Sequence, residues 1–277
     1  MFFKGDFHLH TNASDGKLSP QELVHLARER HVDIMAVTDH DTISSVEAAI
    51  EEGVICNISV IPGIELSTTH NGESVHVLGY FKDNSYKSQD FKKVLTDMIN
   101  YRIYRGEKIV DNLKHYFGIE INYKDIIQNA KGVIARPHIA KAIVDAGYPY
   151  SYEHIFKNII NEDSPAYVPK KNLSVEEGIS LLKSVNALAV LAHPVLLRKN
   201  SIRELLNYDF DGVEAIYHSN SIEQTAMLKA IAAEYNKIIT GGSDFHGISE
   251  RDNGHGDLGC VFLSNNDIET FLDRLKK

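Results

Sequence analysis

The chain has 277 residues, of which 43% are hydrophobic and 24% are charged, and its formal net charge at pH 7 is −9. This composition is typical of a globular protein, and the negative charge argues against a broad electrostatic grip on duplex nucleic acid. The sequence contains no apolar run near the roughly 20 residues that span a bilayer, and its first residues, MFFKGDFHLH, lack the apolar core of a secretion signal.

The first third of the chain alternates between strand-like and helix-like segments. The predicted strands are FFKGDFHL, VDIMAVTDHD, ISVIPGIELS and SVHVLGYF. The predicted helices are SPQELVHLARERH, which begins with Ser19 as N-cap and Glu22 as the partner of a capping box, and SSVEAAIEEG, which Gly53 is expected to close.

The middle of the chain has a different pattern. Between Ser88 and Lys171 no segment predicts a strand, whereas long stretches such as DFKKVLTDMINYRIYRGEKIVDNLKHYFG predict helices. We expect residues 88–171 to form a helical insertion, placed as a cap over the active end of an α/β domain.

Strand-like segments return after the insertion. They are NALAVLAHP, FDGVEAIYH, NKIITGGSDFH and LGCVFLS, with helix-like segments between most of them. Strands that alternate with helices favour parallel pairing, as an open sheet or a barrel. The predicted α/β domain therefore comprises residues 1–87 and 172–277.

Histidine and carboxylate residues lie at or near the ends of the predicted strands. They are His8, His10 and Asp15 at the first strand, Asp39 and His40 at the second, Glu65 at the third, His76 near the start of the fourth, and later His193, Asp244 and His246. Side chains two residues apart in a strand share a face, so His8 and His10 point the same way and Leu9 points opposite. The carboxyl ends of strands are where parallel α/β folds place their sites.

These residues predict a metal centre. Each one alone is more easily explained as a solvated or hydrogen-bonded residue, but so many independent coincidences in one chain are hard to sustain. Imidazole and carboxylate without thiolate suit divalent Mn, Fe or Zn. Asp39 could be a loop carboxylate, and the other nine residues exceed the needs of one ion, so two or three ions are expected. Cys56 and Cys260 form no CxxC pair, which argues against a disulfide framework and favours a reducing cytoplasm.

The motifs DFHLHTNASDG, VTDHDT, GIELS, VHVLGY, LAHP and GGSDFHG resemble those of the polymerase and histidinol phosphatase (PHP) domain phosphoesterases. The stretch ARPHIA, at residues 135–140, further resembles the subgroup that acts on nucleotides, which includes 3′,5′-bisphosphate nucleotide phosphatases and a 5′-to-3′ exonuclease of short RNA. The resemblance implies a distorted (β/α)7-type barrel with metal ions at its mouth.

The resemblance also implies a ligand set for each ion. The first ion would be held by His8, His10, Glu65 and Asp244. Glu65 would bridge to a second ion with His76 and His193, and Asp15, His40 and His246 would hold a third. Many family members carry histidine where Asp15 stands, although a carboxylate also binds hard cations.

Hydrolysis of a phosphate ester by metal-activated hydroxide is the reaction that this set implies. Glu65 would be catalytic as the bridge, and His193 or His246 would protonate the leaving oxygen if not fully committed to metal. The candidate substrate-binding residues are Arg136, His138, Lys170 and His218. The expected partner is a small nucleotide or a short oligonucleotide end, with neither duplex DNA nor a membrane involved, and the chain is expected to be monomeric.

Three alternatives remain open at this point. One is a phosphatase for a non-nucleotide metabolite such as histidinol phosphate, and another is a non-catalytic metal-binding module. A third, hydrolysis of a C–N bond at a binuclear site, is less favoured because such barrels usually carry a metal-bridging lysine near the third strand, where this chain has Glu65.

Overall fold

The computed structural model describes residues 4–130, 136–169, 171, 173–247 and 254–277. The chain forms two compact units. Unit 1 comprises residues 1–92 and 172–277, and unit 2 comprises residues 93–171. No helix in the described ranges is both long and apolar enough to cross a membrane.

The strands of the structure all belong to one sheet. They are β1 (Gly5–Leu9), β2 (Ile34–Val37), β3 (Ser59–His70), β4 (Glu73–Phe81), β5 (Leu173–Ser174), β6 (Ala187–Leu191), β7 (Gly212–Tyr217) and β8 (Ile238–Gly242). The helices are α1 (Pro20–Glu29), α2 (Val46–Cys56), α3 (Gln89–Phe117), α4 (Tyr123–Ala130), α5 (Arg136–Asp145), α6 (Tyr152–His154), α7 (Val175–Ser184), α8 (Ile202–Leu205), α9 (Ile222–Glu234) and α10 (Asn265–Leu275).

The sheet of unit 1 is a nearly closed barrel. Its strand order is β1-β2-β3-β4-β6-β7-β8, and the short β5 pairs with β3. All neighbours are parallel except β4, which runs antiparallel to both β3 and β6. A bridge between Leu9 and Phe245 joins β1 to the segment that follows β8, and His10 N–H donates to the Phe245 carbonyl at 3.0 Å. The predicted distorted barrel is confirmed.

Two apolar clusters pack the helices of unit 1 against its strands. One cluster joins the strands to α10, whose Phe271 stacks on Phe7 with ring centroids 4.6 Å apart. A second packs α1 and α2 against β1 and β2, and it contains Leu9. The predicted cap of α1 is confirmed, since Ser19 and Glu22 form both hydrogen bonds of a capping box.

Unit 2 has a core of its own. Its buried residues come from α3, α4, α5 and the 152–166 region, and they include Ile109, Leu113, Ile139 and Ile155. The described part of residues 88–171 contains no strand, as the sequence predicts. The unit boundary falls inside α3, because the start of that helix packs Phe91 against Phe81 of β4.

Three sequence expectations about elements were wrong. Gly53 does not close α2, which continues to Cys56 and ends at Asn57 with a φ of 56°. A Cβ at Gly53 would lie 2.6 Å from a Val60 methyl group, so the glycine is needed for close packing of helix on strand. Strand β3 continues five residues past Glu65, to His70, because β4 folds back along it.

The third wrong expectation concerns the segment LGCVFLS, which was predicted to be a strand but forms none. Val261 and Leu263 are buried there while Phe262 is 79% exposed, so the sequence alternates as a strand would. The alternation arises because Val261 and Leu263 pack into the apolar cluster beneath α10, and not from pairing with a neighbouring strand.

Candidate metal centre

The predicted ligands of unit 1 converge at one end of the barrel. Strand β1 carries His8 and is followed directly by His10, and the loop before α1 carries Asp15. The remaining ligands are His40 after β2, Glu65 within β3, His76 within β4, His193 after β6, and Asp244 and His246 after β8. Parallel strands place their carboxyl termini at one edge, and the antiparallel β4 brings its first half, with His76, to that same edge.

Four of these side chains surround one point. His8 Nε2 lies 3.2 Å from Glu65 Oε2 and 3.3 Å from Asp244 Oδ1. His10 Nε2 lies 3.2 Å and 3.1 Å from the same two oxygens. All four side chains are buried or nearly so. This set is the one that the family resemblance assigns to the first ion.

The other oxygen of Glu65 faces a second group. Glu65 Oε1 lies 2.9 Å from His76 Nδ1 and 3.1 Å from His193 Nε2, and those two nitrogens are 3.2 Å apart. His40 Nδ1 lies 3.1 Å from Glu65 Oε2. Each oxygen of one carboxylate therefore faces its own set of imidazoles, which is the geometry of a bridging ligand.

A third group forms around Asp15. Its Oδ1 lies 3.2 Å from His246 Nε2, and its Oδ2 lies 3.7 Å from His40 Nε2. His10 joins this group through Nδ1, 3.7 Å from Asp15 Oδ1, which the sequence did not predict. His246 Nδ1 donates to the Asp244 carbonyl at 2.7 Å, and this bond directs Nε2 towards Asp15.

The donor set fits divalent cations. Ligand atoms about 2.0–2.2 Å from a shared ion are about 3.0–3.5 Å apart, and most of the distances above lie in that range. Within the described part of the chain, buried polar atoms of the pocket lack hydrogen-bond partners although they face one another: His8 Nε2, both ring nitrogens of His10, His40 Nδ1 and Glu65 Oε2. Orphaned buried donors and acceptors are costly, and cations held by the separate ligand groups would satisfy them.

The charges of the pocket also favour a cation. Burial alone would raise the pKa of Glu65, but His40, His8 and His76 hold it well below its usual range. Burial likewise opposes ionisation of Asp244, whose pKa is lowered chiefly by His8 and His10. Both carboxyl groups are therefore ionised at neutral pH.

The pKa values of His8 and His10 depend on nearby carboxylates. Burial would lower the pKa of His8, but Glu214, Asp244 and Glu65 raise it well above the ordinary value. The pKa of His10 is raised to about 10 by Asp244 and Glu65 against the effect of burial. Burial lowers the pKa of His40 to about 4. Metal binding would displace the protons that His8 and His10 carry, since only neutral imidazole is a ligand.

Glu214 is a buried residue of this site that the sequence analysis missed. His8 Nδ1–H donates to its Oε1 at 3.0 Å, and the His193 backbone N–H donates to its Oε2 at 2.7 Å. The carboxylate thus orients one ligand ring and places the backbone of another. A charged residue in the apolar strand GVEAIY was the available signal, because Glu is almost never fully buried without a partner.

Two further neighbours were missed. Tyr217 O–H donates to Asp244 Oδ2 at 2.9 Å, which leaves Oδ1 facing His8 and His10. The ring of His255 lies 3.9 Å from that of His246. Both residues belong to segments whose sequence gives no metal-ligand spacing.

Asp39 proves to be a structural residue. It accepts hydrogen bonds from Thr11 N–H at 2.8 Å, from the Thr11 hydroxyl at 2.7 Å, from the Ser14 hydroxyl at 2.6 Å and from the Ser45 hydroxyl. These bonds fix the loop between His10 and Asp15. Asp39 therefore positions ligands of the third group without joining them.

Two ligands have left-handed backbone conformations. The φ angle is 25° at His193 and 54° at Asp244, a region that residues other than glycine rarely occupy. Such conformations cost about 1 kcal/mol or more each and persist where the surroundings enforce them. At His193 the enforcing contact is the hydrogen bond to Glu214.

The predicted substrate-binding residues within the described ranges belong to both units. His218 follows β7 in unit 1, and its Nε2 donates to the Gly254 carbonyl at 3.2 Å. Arg136 and His138 lie in the first turn of α5 in unit 2, where Arg136 Nη1 donates to the Ile160 carbonyl at 3.4 Å. Lys170 lies outside the described residues.

The sequence is similar to those of two enzymes over most of its length. A 5′-3′ exoribonuclease, Rnm, of Salmonella typhimurium is 31% identical over 255 residues, which cover 87% of this chain and 84% of the relative. A 3′,5′-nucleoside bisphosphate phosphatase of Chromobacterium violaceum is 26% identical over 260 residues, 90% of each chain.

The fold has a solved counterpart. The crystal structure of a Bifidobacterium adolescentis protein assigned as a metal-dependent phosphoesterase superposes with a TM-score of 0.78 at 28% identity, over 98% of this chain and 96% of that one. The model of the PHP domain family matches residues 6–242, a span from just before His8 to the end of β8. On this match and these relatives, the chain belongs to the PHP domain family.

Proposed function

We propose that this protein is a metal-dependent phosphoesterase that hydrolyses phosphate esters of small nucleotides, such as 3′,5′-bisphosphates, or of short oligonucleotide ends. The observation that carries the proposal is Glu65, whose two carboxylate oxygens face two separate sets of imidazoles in one buried pocket. The proposed substrate class rests on what the related exoribonuclease and bisphosphate phosphatase act on.

The proposed cofactors are two or three divalent ions, with Mn before Fe or Zn. The ligands of the first would be His8, His10, Glu65 and Asp244; of the second, Glu65, His76 and His193; and of the third, Asp15, His40 and His246. Divalent ions there would supply hydroxide from bound water near neutral pH and neutralise charge on the phosphoryl oxygens. Both cysteines are unpaired, which supports a proposed location in the reducing cytoplasm.

The chain's own residues would have distinct tasks. Glu65 holds two ligand sets at a fixed separation, and Glu214 holds His8 and His193 in place. His193 Nε2 faces Glu65 and His246 Nε2 faces Asp15. Either ring would donate the proton that the leaving oxygen requires only if it is not fully committed to an ion. Such a mechanism needs no nucleophilic serine or cysteine.

The first experiment is metal analysis of the purified protein before and after Mn reconstitution. We expect two or three ions per chain. Fewer than two after reconstitution would contradict the multinuclear mechanism and favour a different role for the pocket.

The second experiment compares three substrates with the Mn-loaded protein at equal concentration. Adenosine 3′,5′-bisphosphate and a short 5′-phosphorylated RNA should be hydrolysed faster than histidinol phosphate. A preference for histidinol phosphate would overturn the nucleotide assignment while leaving the phosphoesterase in place. Hydrolysis of none of the three, with metals bound, would indicate a non-catalytic metal-binding module.

A further inference from the structure

A second group of potential metal ligands lies on two helices of unit 1. It consists of His25 on α1 and of Glu52 and Cys56 on α2. The Cys56 sulfur lies 3.7 Å from Glu52 Oε1 and 3.7 Å from His25 Nδ1. The same Glu52 oxygen lies 3.0 Å from His25 Nε2. None of the three residues belongs to the candidate metal centre or to the motifs that carry the family resemblance.

The two helices hold the sulfur and the carboxylate in place. Glu52 and Cys56 are four residues apart, so they lie one turn apart on the same face of α2. Cys56 is only 4% exposed and belongs to the apolar cluster that also contains Ala27 of α1 and Ala49 of α2. The thiol is therefore fixed where two helices pack together, and ligands on packed helices are positioned more precisely than ligands on loops.

His25 forms the open side of the group. Its side chain is 58% exposed, whereas that of Glu52 is 16% exposed. One ring nitrogen lies within 4.8 Å of both a Glu52 oxygen and the Cys56 sulfur. The torsion that turns a histidine ring is soft, so a small rotation would bring that nitrogen towards the separation of about 3.3–3.6 Å between ligand atoms of tetrahedral zinc. The exposed side leaves room for a water molecule as the fourth ligand.

The donor atoms favour a softer ion than those of the candidate metal centre. Thiolate selects zinc, whereas imidazole and carboxylate alone also accept Mn. With a thiolate, a carboxylate and a neutral imidazole, a bound Zn²⁺ would leave the site without net charge, which suits the burial of the sulfur. Only the thiolate is a ligand, so binding would release the thiol proton to solvent.

A nucleophilic cysteine is the alternative role for the same groups. A thiol beside an imidazole, with a carboxylate on the other ring nitrogen, is the arrangement that activates such a nucleophile. An attacking sulfur must meet a substrate atom, but Cys56 is covered and the exposed member of the group is His25. An ion needs only a path past the exposed ring. The burial therefore favours a ligand role for the sulfur.

We propose that His25, Glu52 and Cys56 form a zinc site, separate from the candidate metal centre, with water as the fourth ligand. Bound zinc would link α1 to α2 and stabilise the native form of unit 1, because the ion binds the folded chain. The proposal does not rest on the proposed function. The sequence does not reveal the site, because its ligands come from two helices and Cys56 has no second cysteine nearby.

The test uses the thiolate as a spectroscopic label. The full-length, reduced and Mn-loaded protein is titrated with Co²⁺, which occupies zinc sites and gives a thiolate-to-cobalt charge-transfer absorption in the near ultraviolet. No proposed ligand of the candidate metal centre is a thiolate, so cobalt bound there gives no such band. We expect one Co²⁺ per chain to produce the band and one Zn²⁺ per chain to remove it.

Each ligand variant has a matched control. The band should be absent in Cys56→Ser and unchanged in Cys260→Ser, which removes the other, exposed cysteine. His25→Gln and Glu52→Gln should weaken Zn²⁺ binding at least about tenfold, because even the loss of an outer contact at a metal site costs about 10–100-fold. Glu51→Gln, an exposed neighbour on α2, should bind Zn²⁺ like wild type.

A stability measurement tests the link between the helices. Zn²⁺ should raise the Tm of the Mn-loaded wild type and leave that of His25→Gln nearly unchanged. Should Cys56→Ser fail to fold, His25→Gln decides, since its largely exposed side chain contributes little to the core. Glu65→Gln, whose candidate metal centre is damaged, should keep the cobalt band.

Other outcomes would overturn the proposal. A wild-type protein that gives no charge-transfer band with excess Co²⁺ has no thiolate site. A band that persists in Cys56→Ser, or wild-type zinc affinity in His25→Gln, would each exclude the proposed ligand set. A protein that shows the Cys56-dependent band but hydrolyses no phosphate ester would defeat only the proposed function.

Discussion

Glu65 is the residue on which the candidate centre depends most. Its Oε2 faces His8, His10 and His40, and its Oε1 faces His76 and His193. No other carboxylate among the described residues contacts so many of the proposed ligands. The first and second proposed ions would thus share the Glu65 carboxylate.

The substitution Glu65→Gln should damage metal binding and turnover more than any other single ligand change. Gln keeps the shape but removes the charge, and breaking a buried charge pair costs about 3–5 kcal/mol, or about 10²–10³-fold in metal affinity. Metal content and kcat/KM with saturating Mn are the measurements. Near-normal turnover would show that Glu65 does not bridge.

Glu214 should matter although it touches no proposed metal position. Glu214→Gln leaves one of its two donors, His8 Nδ1–H or His193 N–H, facing an amide nitrogen. Loss of an outer contact of this kind typically costs 10–100-fold in metal affinity or activity, and we expect about that effect.

The control for this substitution is Glu51→Gln, an exposed glutamate on α2. Mn affinity and kcat should be unaffected in the control. If Glu214→Gln also retains both, the orientation of His8 is fixed by packing alone.

Individual residues show which parts of the candidate site the sequence could predict. His8, His10, Asp244 and His246 were found because alternation in a strand places them on one face at its end, and the structure brings them together. Glu214 was missed, because in a sequence a carboxylate that accepts hydrogen bonds looks the same as one that would bind metal. Only the identity of its neighbours distinguishes the two.

Asp6 organises the elements around the closing edge of the barrel. It is fully buried in β1 and accepts hydrogen bonds from Ser243 N–H at 2.9 Å, from the Ser243 hydroxyl at 2.6 Å and from Gly259 N–H at 2.8 Å. Burial raises its pKa to about 6 although these donors oppose the rise. The strand β1, the end of β8 and the segment before α10 therefore meet at one carboxylate.

Asp6→Asn should destabilise the fold by about 2–4 kcal/mol, because its amide would direct N–H bonds at groups that are themselves donors. Urea unfolding of the metal-stripped protein measures the effect without interference from the metal centre. Asp273→Asn, exposed on α10, is the matched control and should change little. Equal stability of the two variants would mean that Asp6 is held protonated as a donor.

The sequence predicted helices and strands best where a local signal alone determines them. The capping box of α1 needs only Ser19 and Glu22, and it was found. Gly53 was misread as a helix end, because the glycine is required by close packing of α2 on the next strand, at Val60 of β3. LGCVFLS was misread because burial on alternate sides occurs with or without a partner strand. Tertiary packing decides both cases.

The whole molecule has two units with separate apolar cores, and the ligand cluster lies entirely in unit 1. Removing metal with a chelator should therefore lower the Tm of the protein, because the ions bind the native centre and not the unfolded chain. At a concentration of metal about 100 times the dissociation constant, the stabilisation is about 2.7 kcal/mol.

Scanning calorimetry with and without Mn measures this effect. Glu65→Gln should lose most of the metal-dependent shift, whereas Lys108→Met, in unit 2, should keep it. An identical Tm for the Mn-loaded and stripped wild-type protein would contradict metal binding by the folded centre.

The bridge between Leu9 and Phe245 has a consequence for biosynthesis. The first proposed ligand, His8, leaves the ribosome early, but Asp244 and His246 are synthesised near the end of the chain. Only then can the segment after β8 pair with Leu9 of β1. A nascent chain thus holds histidines without the carboxylate that completes their coordination. Full coordination of the first proposed ion would consequently require that residue 244 has been synthesised.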